Sequence, residues 1–289
     1  MKEIYRASEK ALLAVPERLR DWATVKIATY WLDFGLGHRV KTGRARFWGH
    51  EMLMRWYRGE PTPLSEYAPR LLDGCSLSIQ GMESLAYGGQ IVVINQPNEG
   101  PLRGNWFKFL LNYAIAQSRK RQGDFESRWV QRADSSNPVI KKTPLSIQKR
   151  RLSQMVAQSC NTILIDPTIA FRRENIRAVG EMRRYLYKGG VLVICPEGGD
   201  HKVLGRGREE VGELLVFLIE KTRVPVRPAA AWNVGADLNL RFGEEIDTNN
   251  FDHGNGQRVA DLVMTEIARI LPKGKRGVYQ RLAEEQVTD

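Results

Sequence analysis

The chain has 289 residues, 42% hydrophobic and 27% charged, a balance that argues against disorder and allows one large α/β domain with an appendage, or two small domains. Lys and Arg outnumber Asp and Glu by 44 to 33, a formal charge of +11, which favours an anionic partner: nucleic acid, an acidic membrane surface, an acidic carrier protein or a phosphorylated substrate. No run of about 18 apolar residues occurs, so no membrane-spanning helix is expected.

Cys75, Cys160 and Cys195 are far apart and odd in number, so neither a disulfide framework nor a paired metal motif is expected, and no cofactor is implied. A reducing, cytoplasmic compartment fits these thiols. The opening MKEIYRASEK is charged and lacks the apolar core of a secretory signal.

Residues 1–70 read as a helical subdomain. Ala11, Leu12, Val15, Leu19, Trp22, Ile27, Tyr30 and Trp31 recur at roughly helical spacing, and Phe47, Met52, Leu53, Trp56 and Tyr57 form a second series. Gly35 and Gly37 suggest a break, and Glu60-Pro61-Thr62-Pro63 a linker. Four tryptophans here lie among Arg39, Lys41, Arg44, Arg46 and Arg55. Two readings stand: a bundle packed on the main domain, or an interfacial surface on anionic lipid.

From residue 74 to the end the pattern changes to alternating strands and helices. Strands are expected at Ser76 to Gly81, Ile91 to Ile94, Phe125 to Gln131, Thr162 to Ile165, Val191 to Ile194, Val224 to Trp232 and Asp237 to Phe242. Helices are expected over about 104–120, 144–159, 172–188, 209–221 and 255–271. In the third of these helices Ile176, Val179, Met182 and Leu186 are the expected buried stripe, with Arg173, Arg177 and Arg184 on another face. The expected fold is α/β: a mixed, mostly parallel sheet covered by helices on both faces, preceded by the helical subdomain.

Two strand-then-turn stretches are the candidate site. In QIVVINQPNEGPLRG, Gln90 to Gly104, a buried strand runs into a polar turn before a helix begins near Trp106. In GGVLVICPEGGDHKV, Gly189 to Val203, a second strand ends in Cys195-Pro196-Glu197-Gly198-Gly199. Turns at the carboxyl ends of strands are where open α/β sheets usually meet ligands. The glycines permit close approach of the backbone to an oxygen-rich ligand.

These stretches, with Leu164 to Arg184 and the strand Val224 to Trp232, resemble the glycerolipid acyltransferases, which include lysophosphatidate and soluble glycerol-3-phosphate acyltransferases. The resemblance runs from about Ser76 to Trp232. It implies transfer of a fatty acyl group from a coenzyme A or acyl carrier protein thioester to the hydroxyl of a glycerophosphate-type lipid. Asn95 is in place, but Gln96 stands where the family has its His and Pro101 where it has its Asp. Glutamine accepts no proton near neutral pH and proline offers no side-chain hydrogen bond. Losing a general base typically costs on the order of 100- to 10,000-fold in rate.

The resemblance implies acceptor binding by Glu197, Gly198 and Gly199, and makes Arg172 and Arg173 the nearest candidates for phosphate contact, with a solvated basic helix face as the other reading. Glu99 is a polar residue of the first turn and a weak substitute base, while His201, beside Asp200, is either a displaced base or a loop histidine. Two functions stand: an acyltransferase, or a non-catalytic relative that binds lipid, acyl carrier protein or a protein partner. The basic runs Arg119-Lys120-Arg121, Lys141-Lys142, Lys149-Arg150-Arg151 and Lys273-Gly274-Lys275-Arg276 are expected as a solvated face or a surface for an anionic partner. No nucleic-acid-binding signature accompanies them.

Overall fold

The structure is a computed structural model and describes residues 51–52, 54–55, 58, 60–85, 88–100, 105–119, 126–132, 159–165, 173–199 and 201–285. Nearly all of the expected helical subdomain and the helix expected over 144–159 lie outside the described residues. The rest is an α/β fold built on a seven-stranded sheet.

The strands are β1 (Ser76–Gln80), β2 (Gln90–Ile94), β3 (Arg128–Arg132), β4 (Thr162–Ile165), β5 (Val191–Ile194), β6 (Val226–Val234) and β7 (Asp237–Phe242). Their order is β1-β7-β6-β2-β5-β3-β4. The five strands β6-β2-β5-β3-β4 run parallel, whereas β7 returns antiparallel beside β6 and β1 follows β7. The helices are α1 (Leu64–Leu71), α2 (Trp106–Ser118), α3 (Arg173–Tyr187), α4 (Glu209–Thr222), α5 (Gly256–Ile270) and α6 (Gln280–Glu285). No helix among the described residues is long and apolar enough to cross a membrane.

β2 is central because its sequence suits burial on both faces. All five of its residues are buried, and each aliphatic side chain removed from water in this way contributes about 1.5–3 kcal/mol. Val92 and Ile94 join one core cluster with Leu64, Tyr67 and Leu71 of α1 and Phe107, Leu110 and Leu111 of α2. Ile91 and Val93 join the other, with Met182 and Leu186 of α3, Leu215 and Leu218 of α4, and Val263 and Ile267 of α5. Successive side chains of a strand point to opposite faces, so the two clusters are the two sides of the sheet.

The expected elements recur with local shifts that have physical causes. β3 starts at Arg128 because Ser127 is taken by α2: its N–H and hydroxyl both donate to Asn112 Oδ1, at 3.0 and 2.8 Å. β6 extends to Val234, where it turns through Gly235 and Ala236 to pair Val234 with Asp237. In α3 the buried side is one position earlier than its aliphatic spacing suggests: Asn175, Ala178, Met182, Tyr185 and Leu186 are buried, while Ile176 is 62% exposed. Arg177 and Arg184 are exposed on its outer face.

The basic runs are not simply a solvated surface. Arg119 is buried, and its guanidinium donates to the carbonyls of Gly88 and Gly189, both at 2.7 Å, tying together the turns that precede β2 and β5. Burial pushes the Arg119 pKa down from its ordinary value.

Candidate functional site

The chain leaves β2 through α2 towards β3, and leaves the adjacent β5 through α4 in the other direction, towards β6. Consistent with that reversal, α2 and α4 belong to the cores on opposite faces. A crevice therefore opens at the carboxyl ends of β2 and β5, the place where parallel sheets bind ligands. A cleft lies there, lined by Asn95, Gln96, Glu99, Glu197, His201 and Lys275 among others.

Asn95 is the first residue past β2, 8% exposed. Its amide nitrogen donates to the Ala231 carbonyl at 2.9 Å, and its Oδ1 accepts from the Ala231 N–H at 2.8 Å. The side chain thus continues the β2–β6 ladder by one rung. On the other flank the backbone of Pro97 bridges that of His201, and the His201 N–H lies 3.5 Å from the Gln96 carbonyl. This bridge prolongs the parallel pairing of β2 with β5 past both strand ends.

Glu197 is 3% exposed. Its Oε1 accepts from the Gln96 N–H at 3.2 Å and its Oε2 from the Gly205 N–H at 2.8 Å. Both carboxylate oxygens are thereby engaged by backbone, and the residue fastens the two turns to each other. Gly198 adopts φ +63°, and a Cβ there would lie 2.5 Å from Arg208 Nε; the Arg208 Nε donates to the Glu197 carbonyl at 2.9 Å. The space opened by this glycine is therefore filled by an arginine stem. Gly199 lies in the same turn, half-buried.

Glu99 sits at the rim, exposed, with its backbone carbonyl accepting from Trp106 Nε1 at 2.9 Å. Its carboxylate meets Lys275 Nζ at 3.0 Å. The hydrogen bond from Lys275, followed by that ammonium's charge, holds the Glu99 carboxyl below the usual carboxylate range. His201 is exposed, and its ring rests where a Cβ on Gly205 would lie, 2.8 Å from Cδ2. Among the described residues no hydrogen bond orients its imidazole.

Five of the residues expected from sequence, Asn95, Gln96, Glu99, Glu197 and His201, are thus brought into one cleft. Pro101, Asp200 and Arg172 lie outside the described residues, as does the side chain of Arg173, which opens α3. Lys275 was missed as a site residue because it is 176 positions from Glu99 and stands in a basic run with no motif around it. No group of three or more His, Cys, Asp or Glu poised to hold a metal occurs among the described residues. No protein-family model matches the chain, and no curated protein matches it.

Proposed function

We propose that this chain is an acyltransferase-like protein whose cleft binds a glycerophosphate-type lipid, or the acyl thioester of coenzyme A or acyl carrier protein, without the general base of the family it resembles. The reading is carried by the condition of the cleft's acid–base groups. Gln96 accepts no proton near neutral pH. Both oxygens of Glu197 receive backbone N–H groups, and Glu99 is paired with Lys275. The hydrogen bond and charge of Lys275 favour the charged form of the Glu99 carboxylate and make it a poor proton acceptor. Hydrogen-bonding capacity and positive charge remain, which suits binding of a phosphate-bearing lipid.

Single-turnover acyl transfer by the purified protein tests this, with acyl-CoA and acyl carrier protein thioesters offered to glycerol 3-phosphate or lysophosphatidate. Lysophosphatidate is expected to quench or shift the emission of Trp232, which lines the cleft, with no transfer above background. A Gln96→His, Pro101→Asp variant is the comparison, expected to gain transfer. Transfer by the wild type well above background overturns the non-catalytic reading.

One observation favours a second reading, in which His201 supplies the base. The Pro97–His201 bridge brings His201 into the cleft beside Gln96, so a histidine is present although displaced. On this reading wild-type transfer is measurable and His201→Ala abolishes it; an unchanged rate in that variant ends the idea.

A further inference from the structure

The cleft's only ion pair among the described residues joins side chains 176 positions apart in the chain. Glu99 belongs to the turn after β2, and Lys275 to a short 3-10 turn, Lys273–Lys275, that follows α5. That turn is fixed against the cleft wall. The Lys275 carbonyl accepts from the Leu204 N–H at 2.9 Å, and the Lys275 N–H donates to the Pro272 carbonyl at 2.8 Å. Two residues on, Gly277 adopts φ +54° and lies so close to Leu204 that a Cβ would fall 1.9 Å from its carbonyl oxygen. Next, the Tyr279 hydroxyl accepts from the Gly207 N–H at 3.0 Å and donates to Asp261 Oδ1 at 2.5 Å. Burial raises the Tyr279 pKa, so this donor keeps its proton.

A rigidly mounted backbone thus holds a long cationic side chain over the cleft. Lys275 Nζ also lies 3.5 Å from the Lys202 carbonyl, at the limit of a hydrogen bond. The ammonium has a carboxylate on one side and a carbonyl on the other, the arrangement of a cation prepared for oxygen ligands. Both partners keep substantial exposure, 32% for Lys275 and 44% for Glu99, so solvent and a solute can reach the pair.

We infer that Lys275 is the anion-binding residue of the cleft and that Glu99 occupies it internally until the phosphate of a ligand displaces the carboxylate. This rests on the reading that the cleft takes a phosphate-bearing ligand. Binding then exchanges one ion pair for another: Lys275 turns from the Glu99 carboxylate to the phosphate, and Glu99 is released to water. Glu99 is accordingly an internal competitor that lowers affinity, and Lys275 the residue that confers it. Opposite effects of removing the two charges are the signature.

The experiment is calorimetric titration with glycerol 3-phosphate of the full chain and of Glu99→Gln, Lys275→Gln and Lys275→Arg, at low salt and neutral pH. An exposed ion pair contributes roughly 0–1 kcal/mol, so Glu99→Gln is expected to bind up to about fivefold tighter. Lys275→Gln is expected to bind about tenfold weaker, because a charge-assisted hydrogen bond is lost, and Lys275→Arg to retain most of the affinity. Thermal unfolding of each variant separates a local change from a folding defect, and the arginine variant keeps the test valid where glutamine disturbs the turn. Binding that is the same in all four proteins overturns the role of Lys275 while leaving the cleft as a phosphate site. Weaker binding in Glu99→Gln overturns the competition, since Glu99 would then be a ligand. Absence of binding in every protein overturns the cleft reading itself, and this inference with it.

Discussion

On the floor of the cleft Asn95 is 8% exposed and exchanges two hydrogen bonds with Ala231, and Glu197 is 3% exposed with a backbone N–H on each carboxylate oxygen. At the rim Glu99 and Lys275 keep 44% and 32% of their side-chain surface and meet through one ion pair. The floor spends its polar groups on joining β2, β5 and β6, where an unmet hydrogen bond is expensive because no water replaces it. The rim holds its charges in water, where a pair is cheap to separate. A ligand therefore finds a fixed floor and an exchangeable rim, and the two regions should respond differently to substitution.

The largest effect is expected at Asn95. Asn95→Ala leaves both the N–H and the carbonyl of Ala231 buried without partners and should destabilise the fold by about 3 kcal/mol, read as the shift in urea unfolding midpoint. A loss below about 1 kcal/mol would mean that water reaches Ala231 and that the floor is not closed. Glu197→Gln should cost less, about 2 kcal/mol, because the amide oxygen serves one of the two N–H groups while its own NH2 is set against the other. A neutral result there would break the comparison by placing Glu197 with the rim.

Glu99→Gln should cost the least, under about 1 kcal/mol at neutral pH, since solvent screens the pair. Its pH dependence sharpens the point. The Glu99 carboxyl is held below its ordinary range by Lys275, so its contribution is present above the unfolded value of about 4.3 and is lost as pH falls through the depressed folded value. The small gap between wild type and Glu99→Gln in unfolding midpoint should narrow as pH drops below about 4. A gap that widened in acid would contradict the pairing.

Much of the architecture was legible in the residue order. β-Branched runs such as Ile91-Val92-Val93-Ile94 and Val191-Leu192-Val193-Ile194 are wanted by strands buried on both faces, and they became β2 and β5. Helical periodicity placed α2 to α5 within about two residues of their observed ends. Ile176 was misjudged because 3.6 residues per turn let two adjacent phases share most of a stripe, and the packing partner chose the other one. Nothing local in the sequence shows that the Glu197 carboxylate, in the cleft, accepts from the N–H groups of Gln96 and Gly205, contacts 101 and 8 positions away. Arg119 read as part of a solvated run because nothing local marks a guanidinium that will close two turns.

The sequence by itself determined which segments are strands and helices, that the sheet is mostly parallel, and that the two strand-ending turns carry Asn95 and Glu197. These follow from side-chain periodicity and burial preference, which act over a few residues. Only the tertiary structure decided that the turns after β2 and β5 lie side by side, that His201 enters beside Gln96, and that Lys275 reaches Glu99. Those outcomes depend on strand order and on the reversal of connections at the sheet's centre, which arise from packing between segments far apart in the chain.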